Sequence, residues 1–125
     1  MQLLYFQFGG SPFAIPLDRV AEVAPAGPIH PVPLSPPAVK GLAERRGRPI
    51  AVIDLPRLLD ANPDGAGAAN VVRLAIPLDG AAFWVPAEVF SGTGTPAEGG
   101  RAWIEGRLHV ILDTDALVRR AAAFA

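Results

Sequence analysis

The side chains in this sequence best suited to proton transfer near neutral pH, or to nitrogen ligation of a metal, are two histidines, His30 and His109. They stand far apart, without the E-x-x-H or H-x-H spacing that sets two ligands on one face, so no metal site is expected. Ser11, Ser35 and Ser91 sit among turn residues, and none lies in the G-x-S-x-G elbow that exposes a nucleophile. Asp54 and Asp113 are the carboxylates that could be imagined as a general acid–base pair. Each, however, ends an apolar run and opens a short helical one, where a carboxylate caps orphan amides. Gly92-Thr93-Gly94-Thr95 runs into Pro96 rather than a phosphate-cradling loop and helix. With no cysteine there is no thiol nucleophile, disulfide or Cys-type zinc site. No catalytic residue and no cofactor are expected, and the chain reads as a non-enzyme.

The main concentration of charge is Arg45, Arg46 and Arg48 around Gly47. An exposed arginine pair contributes only ~0–1 kcal/mol to folding, so stability does not account for three of them. They read either as a solvated hairpin tip that discourages edge pairing or as a contact for an acidic partner. A nucleic-acid footprint is a third reading, opposed by the lack of interleaved aromatics and a net charge of −1. Salt-dependent retention of DNA or RNA would support such a small-barrel nucleic-acid binder.

The elements that must carry these residues are short apolar runs bounded by turn residues, the pattern of an all-β barrel or sandwich. Leu3–Phe8 and Phe13–Pro16 read as strands about a Gly9-Gly10-Ser11-Pro12 turn, and Val20–Val23 as a short extended or helical piece. Pro25, Pro28, Pro31, Pro33, Pro36 and Pro37 lack ladder donors, so this stretch is expected as a polyproline-like surface crossing. Val39–Ala43 and Ile50–Ile53 flank the arginine hairpin. Asn62–Ala68 reads as a loop, and Asn70–Leu78 and Ala81–Val85 as strands about Asp79-Gly80. Ser91–Gly100 reads as a second loop, and Ala102–Ile104 and Leu108–Leu112 pair about Glu105-Gly106.

Half the residues are hydrophobic and 18% are charged, enough apolar content for one packed core in 125 residues. The N-terminus lacks a basic region before its apolar residues, and no apolar run reaches the ~20 residues of a bilayer span. A soluble, cytoplasmic protein without membrane insertion is expected.

The two halves echo each other. Gly47-Arg48-Pro49-Ile50-Ala51-Val52-Ile53-Asp54 matches Gly106-Arg107-Leu108-His109-Val110-Ile111-Leu112-Asp113, and Phe13-Ala14-Ile15-Pro16 matches Phe83-Trp84-Val85-Pro86 more weakly. Two similar β-units sharing a core are expected.

The N-terminal half reads Phe6-Gln7-Phe8-Gly9-Gly10, Phe13-Ala14-Ile15-Pro16-Leu17, Val20, Glu22-Val23 and Ile29 to Pro33. It continues through Pro36, Val39-Lys40-Gly41-Leu42, Arg46-Gly47 and Ile50-Ala51-Val52-Ile53-Asp54-Leu55. In this order and spacing, residues 4–59 resemble the CheW family of bacterial chemotaxis coupling proteins, with a looser match at Arg107 to Asp113 and Leu117. The resemblance implies two linked SH3-like five-stranded barrels sharing a core, with a short C-terminal helix. The single domain would span 1–125, with the first barrel mainly 13–67 and the second mainly 1–12 plus 68–125.

The resemblance also implies a scaffold linking the regulatory domain of a CheA-type histidine kinase to the cytoplasmic tip of methyl-accepting chemoreceptors, recruited to receptor arrays. By position, Arg46 matches the arginine of the family's N-L-R-G motif and Glu22 the glutamate of V-x-E-V. A Glu22–Arg46 pair at the coupling surface is therefore expected, flanked by Arg45 and Arg48. Val20, Val23, Val39 and Gly41 would supply its apolar floor, although Val20 and Val39 read equally as barrel core.

Ala43-Glu44-Arg45 stands where the family pattern has I-N-L, Ala51 replaces a proline, and the second half looks trimmed around Ser91–Gly100. These changes fall where partners would dock. They admit a divergent accessory member that binds one partner only, either receptor or another scaffold.

Overall fold

The computed structural model describes residues 1–75 and 81–123. Strands β1 (Gln2–Phe8) and β2 (Ser11–Pro16) form a hairpin about Gly9-Gly10, and a 3-10 turn at Leu17–Arg19 leads into β3 (Val20–Pro25). Strands β4 (Val39–Arg45) and β5 (Arg48–Asp54) form the arginine hairpin, and β5 runs into α1 (Leu55–Leu58). Then come β6 (Asn70–Leu74), β7 (Ala81–Val85), β8 (Phe90–Thr93), β9 (Thr95–Ala97), β10 (Arg101–Ile104), β11 (Arg107–Ile111) and α2 (Thr114–Ala123). The expected Asp79-Gly80 turn and residues 76–78 of the preceding strand lie outside the described residues.

The strands form two sheets, ordered β8-β1-β2-β11-β10-β9 and β3-β6-β7-β5-β4. Although the first order has six members, β8 and β9 are two arms of one strand broken at Gly94, one arm on β1 and the other on β10. That break closes a five-stranded barrel. A Cβ at Gly94 would lie 2.7 Å from Leu3 Cδ1 and 3.1 Å from Ile104 Cγ1, so the corner presses into the barrel interior where only glycine fits. The second sheet closes in the same manner. Beyond β3 the chain turns back, and His30 exchanges both backbone hydrogen bonds with Leu42 of β4, at 2.8 and 2.9 Å.

The expectation of a loop at Ser91–Gly100, trimmed from the second half, is thus corrected: most of it is the closing strand of a barrel. Its Gly, Thr and Pro content hides the strand because its backbone pairing, rather than its side chains, makes the structure.

The sheets also divide the chain differently from the expected 13–67 against 1–12 plus 68–125. Hairpin β1–β2 joins β8–β11, while hairpin β6–β7 joins β3–β5. Strand β2 runs parallel to β11, and β7 runs parallel to β5. Each half therefore lends its hairpin to the three-strand unit of the other. A boundary at residue 12 would cut the ladder from Leu3↔Pro16 to Phe8↔Ser11, which the local Gly9-Gly10 turn holds together.

Strand β1 is apolar on both faces because both are covered. Leu3 and Tyr5 face the first barrel's interior, while Leu4, Phe6 and Phe8 face a core between the barrels. That shared core gathers Phe13, Ile15, Ile53, Leu55, Leu58, Val72, Phe83 and Val85. Phe8 lies 4.8 Å from Phe13 and 5.8 Å from Phe6, centroid to centroid. Each fully buried phenylalanine contributes about 1.5–3 kcal/mol. The chain folds as linked barrels sharing a core, with a short C-terminal helix whose Leu117 and Ala121 face that core.

Asp54 and Asp113 cap the two helices. Arg57 N–H donates to Asp54 Oδ1 at 3.2 Å, and Ala116 N–H donates to Asp113 Oδ1 at 3.1 Å.

Candidate functional site

The interior of the second barrel is lined by aliphatic residues, Ala24, Ala43, Ile50, Val52, Val71 and Ala82. Side chains on a strand share a face every second residue. On four strands, moving two residues toward one end of the barrel replaces the apolar side chain with a charged one. Ala24 gives way to Glu22 on β3, Ala43 to Arg45 on β4, Ile50 to Arg48 on β5, and Val71 to Arg73 on β6. The result is a cleft of about 400 Å³ with Ile50, Val71 and Ala82 at its floor and charge around its rim.

Glu22 is the carboxylate at this rim. It forms an ion pair with Arg45, and Arg73 Nη2 donates to its Oε2 at 3.5 Å. Strand pairing places Glu22 opposite Arg73. Arg46 occupies the turn instead. Its φ of 53° and the 77° of Gly47 put both central residues of the hairpin at positive φ, the type I′ geometry. The expected Glu22–Arg46 pair is therefore corrected to Glu22–Arg45. Arg45 is the last inward-facing residue of β4, whereas the turn carries Arg46 past the inward row. Arg46 and Arg48 line the cleft and have no carboxylate partner within 4.0 Å among the described residues.

The structure brings together Glu22, Arg45, Arg46 and Arg48, but not the four flanking residues. Val20 is half-buried against the shared core, as the core reading had it. Val39 is half-buried and paired with Ile53. Val23 is 38% exposed on the outer face of β3. At Gly41 a Cβ would lie 2.4 Å from the His30 carbonyl oxygen, so this glycine permits the barrel's closure rather than flooring a cleft. Arg73, Val71 and Ala82 were not picked out from the sequence. The alternation of Val71 and Arg73 with Val72 and Leu74 marks two faces, but not which strand lies alongside.

Two small β-barrels about one core, the second with a basic recess at one end, define a double-barrel β protein. Residues 2–81 match the CheW-like domain, and the chain belongs to that family. Among solved structures, it is similar to the scaffolding protein TtCheW from Thermoanaerobacter tengcongensis. That match has a TM-score of 0.70 at 20% identity, covering 90% of this chain and 88% of that one. No curated protein matches the chain. The structural likeness extends the fold through the second half, beyond the residues that match the family. Among the described residues, no helix is long and apolar enough to cross a membrane.

Proposed function

We propose that this chain is a non-catalytic adaptor that couples methyl-accepting chemoreceptors to the regulatory domain of a CheA-type histidine kinase, in the cytoplasm at a bacterial chemosensory array. Membership of the CheW-like family supports the class. The observation that carries the reading is the basic cleft, where four arginines surround Glu22, the one carboxylate that lines it among the described residues, over an apolar floor. With Glu22 engaged by Arg45 and Arg73, the guanidinium groups of Arg46 and Arg48 are available to an acidic side chain of a partner. Small neighbours, Ala82 and Val71, leave room for an apolar side chain beside it. Val23 adds an exposed apolar contact on the adjoining strand face.

One observation favours a narrower version of this role. Arg45 stands where the family pattern has an apolar residue, and it occupies Glu22. A coupling surface rewired in this way suits an accessory member that binds one partner, the receptor or another scaffold. Calorimetric titration with a receptor cytoplasmic fragment and, separately, with the kinase regulatory domain from the same source tests both versions. Binding to both supports the coupler, binding to the receptor fragment alone supports the accessory role, and binding to the kinase domain alone or to neither overturns the proposal.

A further inference from the structure

The basic cleft carries more positive charge than one acidic side chain of a partner can meet. Four guanidinium groups line it against the one carboxylate of Glu22 among the described residues, a surplus of three charges. Strand pairing sets Arg45 directly opposite Arg48, and like charges so placed weaken a hairpin. Between them Arg46 holds a positive φ of 53°, which Asn or Gly adopts at less cost. Glu22 offsets only part of the repulsion, through Arg45 and Arg73. In the first barrel, by contrast, arginines are tied down: Arg101 donates to the Glu98 carbonyl oxygen at 3.0 Å, and Arg107 donates to Gln7 Oε1. The fold thus holds a charge cluster that its own energetics disfavour.

We propose that this cleft is a binding site for a small organic phosphate, which competes there with the acidic side chain of the partner. The competition rests on the coupling role proposed above, whereas the binding does not. A carboxylate brings one negative charge and leaves most of the surplus unmet. A phosphate monoester brings close to two at neutral pH, with three acceptor oxygens for the forked N–H donors of Arg46 and Arg48. Arg73 lines the same cleft and has donors beyond the one given to Glu22. A cation would be repelled, and a neutral ligand would leave the surplus charge unmet. The volume of about 400 Å³ falls within the ~300–1,000 Å³ of small-molecule sites. Ile50, Val71 and Ala82 form a floor without side-chain polar groups, which suits the organic body of an ester and gives inorganic phosphate nothing to bind.

Phenyl phosphate is the probe, titrated by calorimetry into the whole chain at low salt. Saturable binding with a Kd below about 1 mM is expected, weakening as salt rises. Phenyl sulfate has the same shape with a single charge, and methyl phosphate keeps the charge without the ring. Each should bind about fivefold more weakly or worse. Arg46→Ala and Arg48→Ala should each weaken phenyl phosphate about tenfold, while Arg101→Ala, in the other barrel, should leave it unchanged. Glu22→Gln frees Arg45 and Arg73 and should strengthen binding several-fold. No saturation by about 1 mM, equal affinity for phenyl sulfate, or full affinity in Arg48→Ala would each overturn the site. A capped phosphoserine pentapeptide that bound more tightly than phenyl phosphate would assign the cleft to a phosphorylated partner and overturn the small-molecule reading. Phenyl phosphate binding without receptor or kinase binding would end the coupling role and leave this site standing. The reverse result would end this site alone.

Discussion

Glu22 and Arg45 form an ion pair between β3 and β4, the strands at opposite ends of the five-stranded sheet order. Among the described residues these strands do not pair directly; the chain beyond β3 meets β4 at the bridge of His30 to Leu42, three residues before Arg45. The Glu22–Arg45 contact fastens the seam at the mouth, with Arg73 behind it on β6. Both partners are accessible to water, with side chains 23% and 36% exposed, so the pair belongs to the weak end of the ion-pair range.

This geometry sets the outcome of a double-mutant cycle. Glu22→Ala with Arg45→Ala should give a coupling energy of about 0.5–1 kcal/mol in urea unfolding, decreasing as salt rises. Glu22→Ala with Arg46→Ala should give a coupling near zero. Equal couplings for the two arginines would mean that Glu22 is shared with Arg46, as the family pattern alone implies.

Arg46 occupies a turn position where Asn is favoured, because a type I′ turn needs positive φ at both central residues. Arg46→Asn should therefore stabilise the fold by a few tenths of a kcal/mol, up to about 1. The same substitution should weaken binding to the acidic partner about tenfold, because an arginine with no carboxylate partner among the described residues is the group expected to meet it. Thermal unfolding and calorimetric titration of one variant measure both effects. Reduced stability with unchanged affinity would remove Arg46 from the docking surface.

Local rules made the hairpins and caps legible. Gly9-Gly10, Arg46-Gly47 and Glu105-Gly106 mark turns by conformational need alone, and Asp54 and Asp113 mark helix starts. The exchange of hairpins between halves was not legible, because β2 meets β11 and β7 meets β5 through backbone ladders between strands distant in sequence. For the same reason Arg73, 51 residues from Glu22, could not be assigned to the cleft. The hairpin that carries the arginines is marked by its Gly47, but the choice of Arg45 over Arg46 as partner to Glu22 depends on where the inward row ends and the turn begins.

Gly94 tests the reading of β8 and β9 as one kinked strand. Gly94→Ala should destabilise the fold by about 1–3 kcal/mol, because its Cβ would fall against Leu3 Cδ1 and Ile104 Cγ1 inside the barrel. Leu3→Ala, which deletes the nearer obstacle, should itself cost about 2–5 kcal/mol, yet the double variant should fall short of the sum. Additive costs in denaturant unfolding would place the corner away from the barrel interior.

The cap at Asp113 holds the last helix on the shared core, through Leu117 and Ala121. Asp113→Ala removes the acceptor for the Ala116 amide and should cost about 0.5–2 kcal/mol, while Asp113→Asn keeps an acceptor and should cost much less. Asp54→Ala should show the same contrast with Asp54→Asn, because its carboxylate accepts from Arg57 N–H in the same manner. Partner affinity should stay constant across all four variants, since neither aspartate lines the basic cleft. If Asp→Asn were as harmful as Asp→Ala, or changed binding, the carboxylates would have a role beyond capping.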